Sequence, residues 1–344
     1  MLNWLFGNSQ QMNCPMCSAR ISAKSERCAC GAEIPVLYRE NYREAHPMSV
    51  PLIGWTNTGK SVYVRGLTHT LETMTHRQTL WNQLLLRPAN GDTNKQLEEI
   101  RRAIRERRLP MPTEEKTKGG KEDGRDFEEV YLMILQGMPL WGDRTLVIRD
   151  VAGEHFKELT FSDSQAGFCK RSLCALMTID IRDLFENKNK AYSMPVLLES
   201  YVQTLMKQGC KVKDENRKIS VIITKADHLG EMLPARLQAY LESDPCRLAL
   251  DRNEVSQDLS TSKGMEAYME VLGRANAAIQ EWVRTIPGGN QFIALAQREN
   301  ITLRFSLVSS TGTPPDGDIM TSAMSPMRAI DPFLWLLEFH SRIG

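Results

Sequence analysis

Four residues in the stretch PLIGWTNTGKSVYV have types and spacing that suit one task, the gripping of a chain of phosphates: Gly54, Gly59, Lys60 and Ser61. They fit the pattern G-x-x-x-x-G-K-[ST]. Glycines let the backbone turn tightly enough for its N–H groups to wrap an anion, Lys60 can reach the β and γ oxygens for binding and catalysis, and the Ser61 hydroxyl can sit on Mg²⁺. Asn57, Thr58 and Val62 complete the same cradle. The apolar MSVPLIG before it predicts a short strand and SVYVRGLTHTLETM after it predicts a helix, which is the setting such a loop requires.

Three later segments bear on what the phosphates belong to. RTLVIRDVAGEHF predicts a strand ending in Asp150, with Gly153 shortly after. There Asp150 can hold Mg²⁺ through water, and the Gly153 amide can meet a terminal phosphate. KISVIITKADHL predicts another buried strand that closes in Thr224, Lys225 and Asp227. A carboxylate at Asp227 can accept both N1–H and N2–H of guanine, a donor pair that adenine lacks, while Lys225 can lay its aliphatic stem along the base. ITLRFSLVSSTGT predicts a strand followed by Ser309 and Ser310, whose amides can reach the guanine O6.

A second chemistry-bearing group lies near the start. Cys14 and Cys17 form a C-x-x-C knuckle, and Cys28 and Cys30 follow as C-x-C after a ten-residue spacer. Four thiolates so spaced can close tetrahedrally on Zn²⁺, in an arrangement that resembles a small zinc ribbon. A segment this short buries too little apolar surface to fold unaided, so metal would supply most of its stability. The other four of the eight cysteines, Cys169, Cys174, Cys210 and Cys246, are scattered, which reads as a reduced, cytoplasmic protein rather than a disulfide framework. Arg20, Lys24 and Arg27 alone are basic close to the knuckles and give nucleic acid only a weak foothold.

The elements that must position these residues come from an ordinary globular composition: 344 residues, 42% hydrophobic and 25% charged. With 43 Lys plus Arg against 42 Asp plus Glu, no overall field draws the chain to nucleic acid or an anionic membrane. Its apolar runs are far shorter than the roughly 20 residues of a membrane-spanning helix, and MLNWLFGN lacks the basic start of a signal peptide. DFEEVYLMILQG should pair with RTLVIRD through the turn MPLWGD. In DTNKQLEEIRRAIRERRLP, Asp92 or Thr93 can cap a helix with Leu97, Ile100 and Ile104 as its apolar stripe, and Glu98, Glu99 and Glu106 pair with its arginines. LPARLQAYLES and MEAYMEVLGRANAAIQEWVRTI also predict helices, and a last helix begins at Asp331 with Pro332 in its first turn.

The loop, the D-x-x-G at 150–153, the T-K-A-D at 224–227 and the Ser-Ser pair, each at a strand end and in this order, resemble the P-loop GTPases of the translation-factor and Ras-like class. The resemblance spans Ser49 to about Gly312. It implies a three-layer α/β P-loop NTPase fold with a mostly parallel sheet over 46–344, helical insertions at about 62–108 and 229–300, and the zinc ribbon ahead of it in 1–45. It implies GTP or GDP with Mg²⁺ as ligands and a conformational switch as the use. T-K-x-D stands where N-K-x-D is commoner, and the Thr224 hydroxyl can tie the two loops together. More narrowly, the ribbon, IGWTNTGKS and the ending IDPFLWLLEF look like bacterial double-GTPase proteins of multigene conflict or defence systems.

Members of that class close a first-switch Thr over Mg²⁺ and the γ-phosphate. Thr113, after Pro112, is the candidate here, with Thr117 as the alternative. Many carry Gln or His after the D-x-x-G glycine to orient the attacking water; this chain has Glu154 and then His155. A carboxylate at Glu154 repels the γ-phosphate, and His155 sits one position late, so slow unaided hydrolysis is expected, with a protein partner or second subunit supplying a group such as an arginine finger. The competing expectation is a scaffold that binds nucleotide without turnover and uses its ribbon and helical insertions to bind protein or nucleic acid.

Overall fold

The computed structural model describes residues 11–77, 81, 83–109, 130–151, 155, 163–185, 193–230, 233–252 and 259–341. Thr113, Thr117, Gly153 and Glu154 lie outside the described residues. The chain begins with a short antiparallel hairpin, β1 (Gln11–Asn13) and β2 (Arg20–Ser22), and a short helix α1 (Val36–Asn41). Then come β3 (His46–Ile53), α2 (Lys60–Arg77), β4 (Leu85–Pro88), α3 (Gly91–Arg105), β5 (Val130–Gln136), β6 (Arg144–Asp150), α4 (Asp163–Arg171) and β7 (Cys174–Asp180). The remainder comprises α5 (Met194–Lys207), β8 (Lys218–Thr224), α6 (Ala235–Glu242), α7 (Pro245–Arg252), α8 (Ser262–Thr285), α9 (Gly289–Arg298), β9 (Thr302–Leu307) and α10 (Asp331–Ser341).

Seven strands form one sheet in the order β4-β5-β6-β3-β7-β8-β9. The five from β6 to β9 run parallel, while β5 is antiparallel to β6 and β4 antiparallel to β5. Parallel strands need cover on both faces, which is why their sequences are nearly unbroken apolar runs. The period-two alternation still shows within β8: Ile222 packs into one core, and Ile219, Val221 and Ile223 pack into the other. The first core includes Tyr63, Val64 and Leu67 of α2, Leu97 of α3 and Phe333, Leu334 and Leu337 of α10. The second includes Leu197, Leu198 and Tyr201 of α5 with Phe292 and Ile293 of α9. Helices thus flank a mostly parallel sheet on both faces.

The long α8 reaches both cores, contributing Met265 and Leu272 to the first and Ile279 and Val283 to the second. In passing the β9 edge it offers Asn276 Oδ1 to the Phe305 amide at 2.8 Å, satisfying one donor of an edge strand. A third core joins the N-terminal segment to the sheet: Met12, Cys14, Cys17, Cys28, Ile34 and Tyr38 pack with Leu132, Ile134, Val147 and Phe168.

The helix at α3 is capped by Asn90, whose side chain accepts from the Thr93 amide at 2.9 Å, and not by Asp92 or Thr93 as the sequence suggested. The Thr93 hydroxyl is buried and accepts instead from the Leu132 amide at 2.9 Å, binding the helix to β5. Of the expected glutamate partners, Glu106 pairs with Arg108 at 4.0 Å. Arg101 pairs with Glu72 of α2 at 2.6 Å, across two helices rather than along one.

Candidate functional site

Because β6, β3, β7, β8 and β9 are parallel, their C-terminal ends line up along one edge of the sheet, and the candidate residues follow from those ends. The register sets Leu52 beside Asp150 and Asp180 beside Thr224.

The loop leaving β3 turns through Asn57 and Gly59, both in the left-handed region, with φ of 65° and 84°. Its first glycine is required by crowding. A Cβ on Gly54 would stand 2.1 Å from Thr178 Oγ1 and 2.6 Å from Thr58 Oγ1. The Thr58 hydroxyl donates to Trp55 O at 2.8 Å and lies 2.8 Å from Thr178 Oγ1, which fastens the loop to β7. Lys60 opens α2 and is buried, with Nζ donating to Gly54 O at 2.9 Å and Trp55 O at 3.1 Å. An ammonium folded over its own loop at the start of an α-helix makes a concentrated positive site for an anion.

Ser61 and Asp150, the two residues expected to hold Mg²⁺, are brought together: Ser61 Oγ donates to Asp150 Oδ2 at 3.0 Å. Asp150 is buried at the end of β6. A hydroxyl and a buried carboxylate at the start of α2 and the end of β6 are the oxygen donors that a hard divalent cation takes, so the donor set fits magnesium. Val62 follows in the first turn of α2.

The loop after β8 is tied to the loop after β3 at two points. Thr224 Oγ1 lies 2.7 Å from Thr58 O and 3.1 Å from Ile179 O, and its single proton goes to the nearer carbonyl. Lys225, itself left-handed with φ of 59°, sends Nζ to Asn57 O at 2.7 Å and to Asp180 Oδ2 at 2.6 Å. Asp180 also takes Arg182 through Nε and Nη2, at 3.1 and 2.7 Å. Burial alone would raise the Asp180 carboxyl, but the hydrogen bonds from Arg182 and the charge of Lys225 outweigh it and hold the group below the usual carboxylate range. Asp227 follows in a 3₁₀ turn, Ala226–His228. Its side chain is 6% exposed, and Oδ2 is buried with no hydrogen-bond donor among the described residues, His228 Nε2 lying 3.8 Å away. A buried acceptor left in this state is costly unless a donor arrives, which fits the edge of a base offering N–H groups.

The loop after β9 is placed beside these, with Val308 O accepting from the Ala226 amide at 3.1 Å. Ser310 backs onto α2, where a Cβ on Gly66 would lie 3.1 Å from Ser310 O. Ser309 differs from expectation. Its amide donates to Met327 O at 3.2 Å and its hydroxyl accepts from the Gly312 amide at 2.9 Å, so its hydrogen bonds brace the loop. His155 is helical and half-buried. Gly153, Glu154 and Thr113, outside the described residues, are the expected switch groups left without a geometry.

Sequence reasoning passed over Thr178, Asp180 and Arg182. Their signal was the run CALMTID, an apolar strand closing in Asp just as RTLVIRD does.

Away from this edge, the sulfurs of Cys14, Cys17, Cys28 and Cys30 all lie within 4.8 Å of one another. Cys14 and Cys30 are 3.8 Å apart and Cys17 and Cys28 are 3.7 Å apart. A tetrahedron of Zn–S bonds of about 2.3 Å has edges of about 3.8 Å, whereas a disulfide needs about 2.05 Å. The four are free thiols. Burial pushes the Cys14 thiol well up, so an ionised set here requires a cation to neutralise it. The cluster can therefore hold a zinc ion. No helix among the described residues is long and apolar enough to cross a membrane.

No family model matches the chain. It is similar, at 24% identity over 312 residues covering 86% of this chain and 76% of the relative, to a protein of Mycolicibacterium smegmatis named "Putative ESX-1 scaffolding and assembly protein SaeC".

Proposed function

We propose that the chain is a GTP-binding protein of P-loop type that hydrolyses GTP slowly and uses bound nucleotide as a conformational switch read by a protein partner. The observation that carries this reading is the convergence of Lys60, the Ser61–Asp150 pair and Asp227 on one sheet edge. Lys60 and the loop amides from Asn57 to Val62 would hold the phosphates, Ser61 and Asp150 the Mg²⁺ that neutralises their charge, and Asp227 the guanine edge, with the Lys225 stem along the base. Thr224 and Lys225 serve by joining the base loop to the phosphate loop, so both ends of one nucleotide are gripped by a single connected unit. Zinc in the four-cysteine cluster would be structural, and the free thiols of all eight cysteines support a reducing, cytoplasmic setting.

A second reading has its own support. Similarity to a protein named for scaffolding and assembly favours a chain that binds nucleotide for order and partners for function, without turnover. Nucleotide identity in the purified protein, followed by phosphate release from GTP with and without a candidate partner, tests both. Guanine nucleotide with release supports the switch; guanine nucleotide with no release in any mixture supports the scaffold; preference for ATP removes the switch, and no bound nucleotide removes both.

A further inference from the structure

The first knuckle of the four-cysteine cluster is held by two arginines from the sheet domain. Arg149 Nη1 donates to Met16 O at 2.6 Å, and Arg171 Nη1 donates to Cys17 O at 2.7 Å. These arginines come from the two elements on either side of the D-x-x-G in the chain: Arg149 is the last but one residue of β6, immediately before Asp150, and Arg171 ends α4. Arg149 is 4% exposed, and its guanidinium lies 5.7 Å from the centre of the Phe168 ring of α4. Phe168, Val147 and the buried cysteines of the cluster share one core. The knuckle is thus joined at three points to the strand that ends in Asp150 and to α4.

We propose that the four-cysteine cluster is a metal-dependent brace for the nucleotide site: filled, it fixes Arg149 and with it the position of Asp150, and emptied, it weakens magnesium–nucleotide binding. This rests on the reading of that site given above. The physical chain is short. Carbonyls of a knuckle point outward in a fixed direction because the chain is wrapped round an ion, and four clustered sulfurs without a cation do not keep that wrapping. When Met16 O moves, the buried guanidinium loses that acceptor, and the lost hydrogen bond favours a shift of the Arg149 side chain. The residue that shifts with it is the neighbour of the carboxylate holding Ser61.

Coupling of this kind is reciprocal: if metal strengthens nucleotide binding, nucleotide strengthens metal binding by the same factor, typically about 5- to 150-fold. The test uses the full chain loaded with zinc. Affinity for a fluorescent GDP analogue with Mg²⁺ is measured before and after zinc removal by a chelator, and the rate of zinc transfer to a coloured chelator is measured with and without Mg²⁺ and GDP. The second measurement starts from folded, loaded protein, so it remains decisive where stripping unfolds the chain. We expect affinity to fall about tenfold on stripping, zinc transfer to slow with nucleotide, and both effects to shrink in Arg149→Lys, which keeps the charge and loses the planar fork. Zinc transfer unaffected by nucleotide would overturn the brace while leaving guanine binding intact. Failure of the loaded chain to bind any guanine nucleotide would instead remove the underlying site and the brace together.

Discussion

Lys225 and Asp180 form an ion pair of 2.6 Å that bridges the ends of β8 and β7, and the same ammonium reaches Asn57 O in the loop after β3. One side chain therefore connects three strand ends. The carboxylate of Asp180 is also bidentate to Arg182, so removing it takes a shared acceptor from two cations at once.

Asp180→Ala should weaken guanine nucleotide binding by about tenfold with little change in turnover, because it removes the anion that holds Lys225 and leaves Lys60, Ser61 and Asp150 unchanged. Equilibrium binding and steady-state kinetics separate these effects; an unchanged affinity would show that Lys225 needs no such anchor. The pH dependence has a defined sign. A carboxyl held below its usual range stabilises the fold when ionised, so its contribution is complete above the ordinary carboxylate range and is lost as pH falls through its lowered value. Thermal melts of wild type and Asp180→Ala should thus converge in strong acid.

Asp227→Asn exchanges an acceptor for a mixed amide at the buried carboxylate. Guanine affinity should drop by about a hundredfold and xanthine affinity should rise, since the amide can donate to the extra carbonyl of xanthine. Competition between GTP and XTP reads this directly. An unaltered ratio would mean that the base lies elsewhere.

Gly54→Ala should cost about 1–3 kcal/mol of stability from overpacking and abolish nucleotide binding, because the added methyl meets Thr178 Oγ1 at 2.1 Å and Thr58 Oγ1 at 2.6 Å. Chemical denaturation measures the first effect. A well-folded variant that still binds would show that the loop can relax away from β7.

The loop after β9 is anchored by a buried pair, with Arg328 and Asp331 at 3.7 Å and 2% and 0% exposed. Tyr268 donates to Asp331 Oδ1 at 2.7 Å, and Tyr240 donates to the other oxygen. Arg328→Met should destabilise the chain by about 3–5 kcal/mol because it leaves Asp331 buried without its cation. Arg328→Met with Asp331→Leu should cost less than the single change. Urea denaturation of the set decides; equal losses would mean that the tyrosines suffice.

The loop from Gly54 to Gly59, its strand and its helix are legible because all their determinants are local: two glycines, one lysine and a change from strand to helix period within one short stretch. Asp150 and Asp227 are legible for the same reason, each closing or closely following an apolar run. Asp180 ends such a run too, but its partner Lys225 lies beyond another strand, and only the parallel register brings them together. The cap of α3 was misjudged because Asn90, Asp92 and Thr93 are all good caps in isolation; burial of Thr93 against β5 selects among them. The engagement of Ser309 by Met327 and of Met16 by Arg149 depends on contacts between distant segments, which no local pattern encodes.

The shared packing of the cysteine segment with β5 and β6 also sets an order of events during synthesis. The knuckles leave the ribosome well before Leu132, Ile134 and Val147, the side chains that will cover them. Until those strands arrive, the nascent turns have only their own short hairpin and turn hydrogen bonds, so a zinc ion held by the four thiols would be captured early and docking would come late. A cell short of zinc would then be expected to accumulate newly made chains that stall before the sheet closes over its N-terminus, while molecules finished earlier survive.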